Sequence, residues 1–196
     1  MFDPLREVHD PVMREELDAI TDVYVRERVG EQIALIQALG KDHPHSISLV
    51  KEAIPDQPDT FGYTCFQHAF GLTDPPAVVV GIATQYPDLY PSAEFVQFLI
   101  DHELTEVTAG EVRDSDVVVY FADGRIKHAG KAAGGFVISK WGTAHLWKHR
   151  LFEVPLAYGS QLRFFRAITR EDSVFAFIEY AEGRLGKDAL AAWYNS

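Results

Sequence analysis

Cys65 is the single cysteine of the chain, so it forms no intramolecular disulfide and acts, if at all, as a thiol. It follows a loop at 55–60 and opens the stretch Cys65-Phe66-Gln67-His68-Ala69-Phe70, which has helical composition and is closed by Gly71. This spacing predicts a thiol in the first turn of a helix. Unpaired backbone N–H groups there favour the thiolate, the nucleophilic form. A thiol nucleophile also needs a general base. Of the eight histidines, His128 is the best candidate, because the run Arg125-Ile126-Lys127-His128-Ala129 reads as a strand that could present it beside the helix. A third residue would orient the imidazole from the next strand, where Ser139 is the polar position in Phe136-Val137-Ile138-Ser139-Lys140. A serine can accept the ring N–H but brings no charge to stabilise imidazolium.

Four motifs together carry a family likeness. Tyr63-Thr64-Cys65-Phe66-Gln67-His68-Ala69-Phe70-Gly71, Asp116-Val117-Val118-Val119-Tyr120-Phe121, Lys127-His128-Ala129-Gly130 and Ser139-Lys140-Trp141-Gly142 resemble the NlpC-type branch of papain-like cysteine peptidases, most of all uncharacterised bacterial members. The likeness covers roughly Phe61 to Gly159. It implies a helix with a nucleophilic cysteine packed on an antiparallel sheet that carries the histidine, with Cys65 matching the nucleophile and His128 the base. The family's third polar position is commonly His, Asn or Gln, so Ser139 is a departure. The implied activity is that of a thiol-dependent hydrolase, a cysteine peptidase or amidase, or of an acyl transferase. Its substrate would be a peptide or amide, which includes a protein, and it would need no cofactor and no metal. The rival expectation is a catalytically silent interaction protein that keeps the papain-like fold and binds a partner in its cleft.

The elements that must position these residues read as an α+β chain. Asp10 before Pro11 predicts an N-cap, and Met13, Leu17, Ile20, Tyr24, Ile33, Ile36 and Leu39 predict one long amphipathic helix stopped by Gly40. Ser46 to Glu52 reads as a short helix, Ala77 to Ile82 as a strand, Tyr86 to Pro91 as a surface loop, and Ser92 to about His102 as a helix. From Thr105 the pattern is that of strands: Asp116 to Phe121, a turn at Asp123-Gly124, Arg125 to Ala132, a turn at Gly134-Gly135, and Phe136 to Trp141. Leu151 to Pro155 and Leu162 to Ile168 continue it, and Glu171 to Ala181 and Lys187 to Trp193 read as helices. We expect a single domain over 1–196, with a helical part at 10–60, the Cys/His core at 61–160, and a C-terminal strand and helices at 161–196.

The remaining candidates read as structural. His145 and His149 stand four apart, which on a helix would place two metal ligands on one face, but no third ligand lies at a telling distance. His43, His45 and His102 read as solvated, and Phe66, Phe70, Phe95, Phe98, Phe164, Phe165, Phe175 and Phe177 have the spacing of core faces. A net charge of −11 repels phosphate backbones and anionic lipid heads, so nucleic acid is not an expected partner. No apolar run is long enough for a membrane helix, and the acidic start MFDPLREVHD has no apolar signal core, so the expected location is the cytoplasm, with export by a dedicated secretion system as the alternative.

Overall fold

In a computed structural model, which describes residues 9–21, 28–57 and 60–186, helices cover both faces of one antiparallel sheet. The chain runs through α1 (Pro11–Thr21), α2 (Glu31–Leu39), β1 (Ser48–Lys51), α3 (Cys65–Ala69), α4 (Ala77–Gln85), α5 (Ala93–His102), β2 (Glu106–Val107), β3 (Val117–Ala122), β4 (Arg125–Ala133), β5 (Phe136–Lys140), β6 (Leu146–His149), β7 (Gln161–Phe165) and α6 (Arg170–Leu185). The seven strands lie in the order β1-β6-β5-β4-β3-β7-β2. The architecture is therefore α+β.

Alternation along β3 divides the core. Val117, Val119 and Phe121 pack with α3, α4, α5 and α6 on one face, while Val118 and Tyr120 pack with α1 and α2 on the other. A strand apolar at every position is what a sheet covered on both sides requires. The two hairpins that carry the motifs turn at Asp123-Gly124 and Gly134-Gly135, where both central residues have positive φ (51° and 70°, 58° and 82°). That geometry matches the right-handed twist of the flanking strands.

One buried cation fastens α1 to the segment after β6. Arg14, 0 % exposed, donates to Val154 O (3.0 Å), Pro155 O (3.2 Å), Gly159 O (2.6 Å) and Ser160 Oγ (2.9 Å). Gly159 itself has φ +93°, and a Cβ there would come within 2.1 Å of Phe121 O. The segment is thus pressed against the end of β3 by a residue that only glycine fits.

Several expectations need correction. The single helix from Asp10 to Gly40 is interrupted: Asp10 Oδ1 does accept Met13 N–H at 3.0 Å, but a turn at Arg28–Gly30 precedes α2. Ser46 caps no helix, because its N–H and hydroxyl bond Glu153, and Ser48–Lys51 joins the sheet edge as β1. Ala77–Gln85 is helix, not strand: Val79 and Ile82 are buried at i, i+3 behind the N-cap Pro76, so core packing overrides the β-branched composition. Leu151 to Pro155 forms no strand, since two of its carbonyls are taken by Arg14, and β6 comes earlier, at Leu146–His149. Phe175 is 70 % exposed and not core. His43 bonds Asp10 at 2.9 Å and His45 bonds Ile36 O at 3.1 Å, so neither is simply solvated. The helix expected at Lys187–Trp193 lies outside the described residues.

Candidate active site

The sequence around Cys65 starts a helix by a reciprocal cap. Thr64 Oγ1 accepts Gln67 N–H at 3.3 Å, and Gln67 Oε1 accepts Thr64 N–H at 2.9 Å. Gly71, at φ +70°, ends the helix, with Leu72 N–H bonded to Gln67 O at 2.8 Å. The cap consumes the amides of Thr64 and Gln67. Those of Cys65 and Phe66, together with that of Ala129 on β4, favour the Cys65 thiolate.

That third donor exists because β4 has an open flank. β5 is in register with β4 only at Lys131, Ala132 and Ala133, while β3 pairs β4 along Arg125 to Lys131. At Gly130 the two strands still touch, since a Cβ there would lie 2.9 Å from that of Ser139. Before Gly130 the flank of β4 is free to meet α3. A bulge sits here too: Tyr120 faces His128 and Phe121 faces Ile126, so Lys127 is an extra residue in β4. A cavity of about 370 Å³ opens at this place, lined by Cys65, His128, Lys127, Phe66, Tyr90 and Tyr158, among others. The structure therefore brings Cys65 and His128 to the wall of one cavity.

His128 is 1 % exposed, and its Nε2 is buried without a hydrogen-bond partner. What fixes its ring is Tyr158, stacked face to face at 4.0 Å with an interplanar angle of 14°, together with Tyr120 at 5.4 Å. The Tyr158 hydroxyl accepts Gly142 N–H at 3.2 Å, which anchors the tyrosine in turn.

Burial governs the charges. It pushes the Cys65 thiol up to about 11 against the pull of its three N–H donors. The expectation of a low-pKa thiol is thereby corrected: α3 has only five residues, so its dipole is small and desolvation wins. Burial, with His149 and His68 nearby, holds the His128 imidazole well below its ordinary value. Burial also raises the Tyr158 phenol, assisted by Cys65. Thiol, imidazole and phenol are all neutral at rest.

Ser139 shares the His128 face of the sheet but does not hold His128. Its Oγ lies 2.7 Å from His149 Nε2 and accepts Trp141 Nε1–H at 3.2 Å. His149 Nδ1 lies 2.7 Å from Arg150 O, so Nδ1 carries the proton and Nε2 accepts the serine hydroxyl. His145 is equally committed, to Val29 O at 2.8 Å and to Ala53 N–H at 2.9 Å, and both histidines flank or lie on strand β6 instead of sharing a helix face. Among the described residues no three His, Cys, Asp or Glu side chains gather as a metal site.

Three residues of this region escaped the sequence reading. Tyr158 sits in a short 3-10 turn at Leu156–Tyr158, with no periodicity to mark it. Lys127, an exposed residue, comes to the cavity rim at a bulge, which is a property of pairing. Lys140, 1 % exposed, donates to Thr60 O and lies over the Tyr63 ring at 3.8 Å, and burial brings its ammonium down to about 7. A lysine within the apolar strand β5 was the available signal for it.

No helix among the described residues is long and apolar enough to cross a membrane. Compared with known proteins, the chain matches no family model, no curated protein and no solved structure.

Proposed function

We propose that this chain is a thiol-dependent hydrolase or acyl transferase of papain-like, NlpC-type design, acting on an amide or ester. The observation that carries the reading is that Cys65, at the capped start of α3, and His128 line one cavity at the open flank of β4. In this reading the neutral His128 takes the thiol proton as the sulfur attacks the substrate carbonyl carbon. The electron pair of the C=O bond moves to oxygen, where backbone N–H groups beside Cys65 receive the charge. Collapse breaks the bond to the leaving amine or alcohol, which takes the proton back from His128. Water or another acceptor then attacks the thioester, and the thiol is restored.

A specific observation favours the rival reading of a binding module: His128 is buried, Cys65 is half-buried, and both rest in their neutral forms. Acylation separates the two. With 4-nitrophenyl acetate, the enzyme reading expects an acetyl group on Cys65 by mass spectrometry, followed by its loss to water, and neither in Cys65→Ser. An unmodified Cys65 after release of nitrophenol no faster than in buffer would leave the binding reading.

A further inference from the structure

Among the described residues, Lys127, itself exposed, is the one charged side chain on the cavity wall, and no hydrogen bond or ion pair engages its ammonium. The bulge puts it next to His128, where regular alternation in β4 would separate the two onto opposite faces. The other walls are largely aromatic and apolar, from Phe66, Tyr90, Ala93 and Tyr158. Of the acids around the cavity, Asp88 and Glu94 line an adjoining depression that shares Tyr90, Ser92 and Ala93, where Arg184 holds Glu94 at 2.8 Å, and Asp18 accepts Ala157 N–H at 2.9 Å beside Tyr158. In a chain of net charge −11, the surface at large repels anions, and an unpaired cation at the cavity makes a local exception.

We infer that the cavity takes a substrate that joins an apolar or aromatic side chain to a carboxylate, with the side chain among Phe66, Tyr90 and Tyr158 and the carboxylate on Lys127. An N-acylated aromatic amino acid, or a peptide ending in one, has that chemistry. This assignment rests on the thiol hydrolase or transferase reading of the same site and adds the class of substrate to it. A cavity of about 370 Å³ lies in the range that encloses a small ligand of this kind. The ammonium acts here as a point charge on a flexible stem, suited to a single carboxylate.

The test uses two reagents of the same shape, N-bromoacetyl-phenylalanine and N-bromoacetyl-phenylalaninamide, which differ only in charge. Each alkylates Cys65 by forming a sulfur–carbon bond and expelling bromide, with the thiol proton passing to His128 or to solvent. The quantity read is the ratio of the two rate constants, anionic over neutral, each corrected by the same ratio for free cysteine. An ion pair at an exposed lysine predicts a ratio of about two to about five in the wild type, falling to about one in Lys127→Gln and below one in Lys127→Glu. Added salt should compress the wild-type ratio. A wild-type ratio of one, or a ratio that Lys127→Gln leaves intact, overturns the inference. His128→Gln reports on the underlying reading separately: if it slows neither reagent, the Cys65–His128 pairing fails, whatever the charge ratio shows.

Discussion

If burial and not the helix terminus governs Cys65, its alkylation by iodoacetamide must be slow and must steepen with pH. A thiol near about 11 is about 0.01 % thiolate at neutral pH, against about 3 % for an ordinary thiol near about 8.5. The deficit is about three-hundredfold. A more basic thiolate is the better nucleophile, and with a Brønsted coefficient of about 0.4–0.5 this returns about tenfold. The net expectation is alkylation about thirtyfold slower than free cysteine, with a rate that climbs about tenfold per pH unit between about pH 7 and about pH 9. The assay is the mass-spectrometric time course of carbamidomethyl-Cys65 in the folded protein, with free cysteine in the same tube. A rate above that of free cysteine, flat down to about pH 6, would show a resting thiolate–imidazolium pair and refute the argument from desolvation.

Other expectations follow from the same contacts. Ser139→Ala leaves His149 Nε2 and Trp141 Nε1 without partners inside the protein, so it should lower stability by about 1–3 kcal/mol in denaturant unfolding while changing the rate of Cys65 acylation less than about threefold. Tyr158→Phe keeps the ring on His128 and should retain most of the acylation rate, whereas Tyr158→Leu removes the stack and should cost about twofold to about tenfold. Burial depresses His149 to about 4 in the folded chain. The stability tied to its neutral form is therefore complete above the unfolded value near about 6.5 and is lost as pH falls toward about 4, a loss on the order of 3 kcal/mol. A Tm series over that window should fall less steeply for His149→Gln than for the wild type. Arg14→Leu should destabilise by about 3–5 kcal/mol, because four acceptors around Tyr158 lose their donor together.

What could be read from the sequence was whatever local chemistry fixes. Asp123-Gly124 and Gly134-Gly135 specify hairpins through backbone conformation alone, and Gly71 marks the end of α3 in the same way. The α+β class followed from helices coming first and an antiparallel meander after them. Ala77–Gln85 could not be read, because Val and Ile suit a strand in isolation and become helical only against the core. Ser48–Lys51 is strand only because β6 offers an edge. At the cavity, the placement of Cys65 at a helix start and of His128 on a strand was legible, because cap and strand pattern are local. Tyr158 and Lys127 were not, since one depends on Arg14 holding a loop against β3 and the other on a register shift between β3 and β4. The expected low-pKa thiol failed for a related reason: a helix start is visible in sequence, whereas the desolvation that outweighs it is a property of packing.

The most direct measurement of the Cys65–His128 pair is the single-turnover rate of Cys65 acylation by 4-nitrophenyl acetate, in wild type and His128→Gln, in light and heavy water. General-base catalysis contributes about a hundredfold to about ten-thousandfold. The account predicts a loss in that range in His128→Gln, together with a normal solvent isotope effect in the wild type that the variant lacks. Equal rate constants in the two proteins, with equal isotope effects, would contradict it.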